Sequence, residues 1–67
     1  MQTIRFTSLH GTDLSGKVSD RLDINGELVC IIRTLNRIYA VVDRYSVLEM
    51  PDDTNQIEFN KLIINEL

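Results

Sequence analysis

The sequence predicts a mainly β fold: a single small β-barrel of five or six short strands, followed by a C-terminal segment that is a strand or a short helix. Three observations support this. Residues 2–9 alternate apolar and polar side chains, as a half-buried strand does. Asn25-Gly26 is a strong signal for a two-residue hairpin turn, which needs positive φ at both positions. Residues 27–43 then carry apolar side chains on both faces of a second hairpin.

Length and composition limit the classes of protein to which the chain can belong. It has 67 residues and a formal net charge of −3. Two independent cores would each fall below the roughly 40 residues that a stable domain needs, so we expect one domain over residues 1–67 with an acidic C-terminal segment at 51–67. One cysteine and one histidine exclude an intrachain disulfide and a metal cluster. With no long apolar run and no leader pattern, we expect a cytoplasmic protein.

The second strand is predicted to run from Leu14 to Ile24. Its apolar residues fall on even positions, and Gly16 occupies one position of the same series. A glycine there permits a bend that lets one strand serve two sides of a small barrel. Counting outward from the predicted turn places Leu22 opposite Val29, and Asp20 opposite Ile31. The second pair does not suit this register, so either Asp20 lies at the rim of the barrel or the loop is longer than two residues.

The next hairpin has no polar face. If the chain reverses at Leu35-Asn36, two sets of side chains point to opposite faces. One set is Val29, Ile31, Ile38, Ala40 and Val42, and the other is Leu28, Cys30, Ile32, Tyr39 and Val41. One set can form the core of the domain. We expect the second set, which includes Cys30, to be covered by residues 57–67 or by a second copy of the chain.

The C-terminal third begins with a tight corner at residues 42–46 and a short strand over Val47–Met50 that Pro51 ends. Residues 52–67 are ambiguous. Asp53 could cap a helix, but the apolar side chains do not share one helical face, and isoleucine and asparagine are mediocre helix formers. This composition favours an extended segment, with a short helix as the alternative.

Two stretches of the sequence resemble the signatures of Sm-like barrels, which belong to the SH3-like barrels. Residues 4–18 contain an alternating strand, a glycine turn and an apolar-x-Gly-x-apolar element, and residues 41–50 contain a corner with an arginine. The resemblance implies RNA contacts at Asn25 and Arg44. In size, acidity and barrel pattern the chain is also similar to the Rof family of Rho inhibitors, in which the fold blocks a nucleic-acid-binding protein.

Charge is divided unevenly along the chain, with a balance of +1 over residues 1–44 and −4 over residues 45–67. The plainest interpretation is that these charged side chains form a solvent-exposed face and have no binding role. The acidic end would repel phosphate, but it suits the basic cleft of a nucleic-acid-handling protein. The candidate protein-binding residues are Glu49, Asp52, Asp53, Glu58 and Tyr45. For the alternative of binding single-stranded RNA or DNA, the candidates are Asn25, Arg33, Arg37 and Arg44.

No set of residues indicates catalysis. Cys30 and His10 are the only nucleophile and base, and Cys30 lies inside an apolar run, which is typical of a packed thiol. Asp52 and Asp53 lack the spaced oxygen donors of a calcium loop. We therefore predict a non-enzymatic inhibitor or adaptor without metal or cofactor, of a size that would suit a phage or mobile element. The alternative is an Sm-like oligomer that binds single-stranded nucleic acid.

Overall fold

The computed structural model describes residues 2–67, which form five strands and one helix. The elements are β1 (Thr3–Thr7), β2 (Asp13–Ile24), β3 (Glu27–Arg33), β4 (Arg37–Val42), β5 (Tyr45–Pro51) and α1 (Gln56–Glu66). Consecutive strands pair antiparallel, and one parallel pair, Thr7 with Tyr45, joins β1 to β5 and closes the sheet into a barrel-like ring. The predicted mainly β fold is confirmed. Across residues 2–67, no helix is long and apolar enough to span a bilayer.

The β2–β3 hairpin follows the register counted from the Asn25-Gly26 turn. Asn25 and Gly26 both have positive φ, 53° and 84°, as a type I′ turn requires. Leu22 lies opposite Val29, and Asp20 lies opposite Ile31. The loop therefore has two residues, and Asp20 is exposed where the ladder shifts. The turn chemistry of two residues therefore sets the pairing of the two strands.

A bulge at Ser19 lets β2 contribute to both sides of the barrel. The ladder shifts between Val18 and residue 20, and the Ser19 hydroxyl donates to the backbone oxygen of Ile31 at 3.0 Å. As a result Leu14 packs on one side of the sheet, whereas Leu22 packs on the other. The predicted two-sided strand is confirmed, and its observed irregularity is the bulge at Ser19.

The two apolar faces of the β3–β4 hairpin belong to two separate clusters. The helix-side cluster is Val29, Ile31, Ile38 and Ala40 with Phe59 and Ile63 of α1. The barrel-side cluster is Ile32, Tyr39 and Val41 with Phe6 of β1. Ile4, Leu14 and Cys30 pack against the barrel-side cluster. The prediction that residues 57–67 or a second copy cover the face of Cys30 is wrong, because β1 and β2 cover it, and Leu28 remains 57% exposed.

The C-terminal segment is the short helix and not the favoured extended segment. Asn55, rather than Asp53, caps it: the Asn55 side-chain oxygen accepts from the backbone N–H groups of Ile57 at 2.9 Å and Glu58 at 3.2 Å. Phe59 and Ile63, one helical turn apart, are fully buried. Burying two large apolar side chains outweighs the weak helix propensity of the segment.

Candidate protein-binding surface

The segment between β5 and α1 and the first turn of α1 together hold three carboxylates at one end of the barrel. Asp52 and Asp53 are exposed in the turn after Pro51, and Glu58 is exposed in the first turn of α1. The N–H groups of this helix end carry partial positive charge, which favours carboxylates nearby. Asp52, Asp53 and Glu58 form what we call the acidic corner.

Two exposed apolar side chains follow the acidic corner along α1, with the exposed Lys61 between them on the same side of the helix. Ile57 is 69% exposed and Ile64 is 55% exposed. Two helical turns separate these residues, so both side chains point to the same side of the helix, away from the buried Phe59 and Ile63. We call Ile57 and Ile64 the helix stripe.

The remaining two predicted protein-binding residues lie apart from the acidic corner. Glu49 is half-buried, and its carboxylate accepts from the backbone N–H of Leu9 at 2.7 Å, so it holds the loop after β1. Tyr45 is 63% exposed at the start of β5. Since β5 has seven residues, Tyr45 is about 20 Å from Asp52.

The four predicted nucleic-acid contacts are divided between opposite ends of the sheet. Asn25 and Arg44 lie in turns at one end, while Arg33 and Arg37 flank the β3–β4 turn at the other. The seven residues of β3 separate the two ends by about 20 Å. These residues therefore do not form one continuous surface.

Arg33 also forms hydrogen bonds within the fold. Its guanidinium donates to the backbone oxygen of Asp52 at 3.1 Å and to the side-chain oxygen of Gln56 at 2.8 Å. These bonds tie the end of β3 to the start of α1. Arg33 thus positions the acidic corner.

Sequence reasoning did not identify Arg5 as a site residue. Two neighbouring cavities, of about 330 and 440 Å³, are both lined by Arg5 and Arg44. The alternation of β1 indicated that Arg5 points outward, but its closeness to Arg44 follows from the single β1–β5 pair at Thr7. That long-range contact has no local signal in the sequence.

The candidate nucleophile and base lie in different environments. Cys30 is half-buried on β3 and packs against the barrel-side cluster. His10 is exposed in the turn after β1. Among residues 2–67, no three His, Cys, Asp or Glu side chains converge into a site for a metal ion. That the chain is not an enzyme stays a prediction.

Comparison of the chain with models of protein families, with curated proteins and with solved structures found no match. The resemblance to Sm-like barrels and to the Rof family stays a prediction that rests on the sequence stretches described above.

Proposed function

We propose that the chain is a non-enzymatic binding module whose acidic corner and helix stripe together bind a protein. The observation that carries the proposal concerns the two sides of α1. Phe59 and Ile63 are fully buried, while Ile57 and Ile64 stay exposed on a helix that begins at the acidic corner. Protein interfaces commonly combine an apolar centre with a polar rim.

The charge of the surface indicates the kind of partner. Residues 45–67 carry a balance of −4, and the acidic corner holds three of their carboxylates in exposed positions. A basic surface complements such a rim and raises the rate of association. The basic cleft of a nucleic-acid-handling protein has this chemistry, so an inhibitor or adaptor of such a protein is the function that we propose.

The alternative, an oligomer that binds single-stranded RNA or DNA, has less support. It needs the arginines on one surface, whereas Arg33 and Arg37 lie about 20 Å from Arg44 along the sheet. Arg33 also already donates to Asp52 and Gln56.

The test uses two variants with equal changes in net charge. In the first, Asp52→Asn, Asp53→Asn and Glu58→Gln neutralise the acidic corner. In the second, Asp20→Asn, Asp23→Asn and Glu27→Gln neutralise three exposed carboxylates of the β2–β3 hairpin. A partner captured from nuclease-treated lysate is purified, and its affinity for each variant is measured at several salt concentrations.

We expect the acidic-corner variant to bind about tenfold more weakly with a flatter salt dependence, since three rim charges contribute about 0.5 kcal/mol each. The hairpin variant should bind like the unmodified protein. A third variant, Ile57→Ser with Ile64→Ser, should lose binding and keep its fold. Equal affinity for all variants, or capture that nuclease abolishes, would overturn the proposal.

A further inference from the structure

One edge of β1 is open over most of its length. The backbone N–H of Thr7 donates to the Arg44 oxygen on the β5 side at 2.8 Å, and the Gln2 oxygen accepts from Val18 on the β2 side at 2.9 Å. In a strand, the backbone N–H and C=O groups of successive residues point to opposite edges. The N–H and C=O groups of Thr3 and Arg5 therefore point to the same side as those of Thr7, away from β2. Among residues 2–67, no strand pairs with Thr3 or Arg5 on that side.

The turn between β4 and β5 explains why the edge stays open. Asp43 and Arg44 both have positive φ, 48° and 73°, so the chain reverses there and β5 begins only at Tyr45. Tyr45 reaches Thr7, and β5 then continues away from the first half of β1. Where β5 would otherwise lie, there is a cavity of about 440 Å³ lined by residues 2–5 and Arg44.

Positive side chains border this cavity. Arg5 and Arg44 line it, and Lys17 lies opposite Thr3 in the β1–β2 ladder, on the outward face of the sheet. The neighbouring cavity of about 330 Å³ adds the carboxylate of Asp13. Among residues 2–67, the lining of the cavity of about 440 Å³ holds two guanidinium groups and no carboxylate, so the surroundings of the edge are positive there. We call Thr3 and Arg5, with the Arg44 side chain, the β1 edge.

We propose that the β1 edge binds an extended, acidic segment of a partner protein by strand addition. The N–H and C=O groups of Thr3 and Arg5 would continue the ladder with the added strand. The guanidinium groups of Arg5 and Arg44 would bind its carboxylates. A second copy of the chain fits less well, because pairing two β1 edges brings the Arg5 and Arg44 side chains of both copies together.

The proposal concerns a surface different from the acidic corner. Arg44 precedes β5 and Asp52 follows it, so the length of that strand, about 20 Å, separates them. Each surface can therefore be disabled without the other.

The probe for the test is a short synthetic peptide in which glutamate alternates with valine. Backbone amide exchange is measured by NMR in the full-length protein, with and without peptide. We expect the amides of Thr3 and Arg5 to exchange about tenfold more slowly at saturating peptide, as new ladder bonds would require. A peptide with the glutamates replaced by glutamine, and one with alternate amides N-methylated, should protect these amides far less.

A backbone variant tests the ladder itself. Thr3→Pro removes an N–H that points away from β2, and proline is tolerated on an edge strand. We expect this variant to stay folded and no longer bind the peptide, whereas Thr3→Ala should bind the peptide with unchanged affinity.

Charge variants test the second half of the proposal and do not depend on the proline variant. Arg5→Gln and Arg44→Gln should each weaken peptide binding several-fold and lower its salt dependence, whereas Arg37→Gln, at the far end of the sheet, should not. Asp13→Asn should strengthen binding, because it removes a carboxylate that lines the neighbouring cavity with both arginines and would repel the acidic peptide.

Three outcomes would overturn the proposal. The first is no protection of Thr3 and Arg5 at any peptide concentration tested. The second is protection of these amides without peptide in a protein that sediments as a dimer, which would show that a second copy occupies the edge. The third is a uridine oligonucleotide that protects the same amides more strongly than the peptide does, which would assign the edge to nucleic acid.

Discussion

Gly16 lies where the barrel interior leaves no space for a side chain. A Cβ atom at this position would be 2.6 Å from the Cγ2 atom of Ile32, which is fully buried. The methyl group of Ile32 is attached directly to its Cβ atom, so it cannot swing aside without moving the side chain from its packed position. The glycine is needed for close approach of β2 to β3. That it also bends the strand stays a prediction from the sequence.

We predict that Gly16→Ala lowers the free energy of unfolding by about 1–3 kcal/mol through overpacking. Urea denaturation followed by circular dichroism measures the change. Ser15→Ala, one residue earlier and exposed, is the matched control and should change stability by less than about 0.5 kcal/mol.

A double-mutant cycle separates overpacking from a backbone effect. In the Ile32→Leu background the side-chain volume is kept but the Cγ2 methyl group on the Cβ atom is gone, so the cost of Gly16→Ala should fall markedly. An unchanged cost in that background would show that the backbone conformation, and not Ile32, requires glycine.

Cys30 provides a second prediction at the residue scale. The thiol is half-buried against the barrel-side cluster, so Cys30→Ala should destabilise the protein by about 1 kcal/mol and leave partner binding unchanged. Thermal unfolding and a binding titration measure the two effects. A folded variant that no longer acts on its partner would assign a chemical role to the thiol and contradict the non-enzymatic proposal.

At the scale of elements, the predictable parts are those that local chemistry determines. The Asn25-Gly26 turn fixed the β2–β3 register because two residues alone can impose that geometry. Helix α1 was harder to predict because Ile57 and Ile64 stay exposed and obscure the spacing of the buried pair Phe59 and Ile63. An apolar residue kept on the surface weakens the periodic signal from which helices are predicted.

The cap of α1 gives a prediction at this scale. Asn55→Ala removes the acceptor for two backbone N–H groups and should lower the free energy of unfolding by about 1 kcal/mol. Asn55→Asp keeps an acceptor at this position, so it should retain most of the stability that the cap contributes. Asn65→Ala, an exposed asparagine inside the same helix, is the control and should be neutral or slightly stabilising. Equal losses for the two alanine variants would contradict the capping role. Urea denaturation measures all three.

At the scale of the whole molecule, the β3–β4 hairpin contributes one face to the helix-side cluster and the other face to the barrel-side cluster. Its composition indicated that both faces must be covered, but not which segment covers which face. That assignment depends on the ring closure of β1 and on the bulge at Ser19, which are long-range features. The open β1 edge has the same origin and was equally invisible in the sequence.

The fold depends on α1, because the helix covers one apolar face of the β3–β4 hairpin. Without the helix, four side chains that are now almost fully buried would face water, namely Val29, Ile31, Ile38 and Ala40. Exposing large apolar side chains at roughly 1.5–3 kcal/mol each exceeds the few kcal/mol of net stability expected for so small a domain. Truncation after Pro51 should therefore unfold or aggregate the protein, as circular dichroism and sedimentation would show.

Paired substitutions in the full-length chain distinguish loss of the buried contact from loss of chain length. Phe59→Ser with Ile63→Ser should unfold the domain, whereas Ile57→Ser with Ile64→Ser, two changes on the exposed side of the same helix, should leave its stability within about 1 kcal/mol. If the first variant or the truncated chain remained a folded, soluble monomer, the helix-side cluster would not be needed for folding. The face of Val29 and Ile31 would then be a docking surface that α1 covers only in the unbound protein.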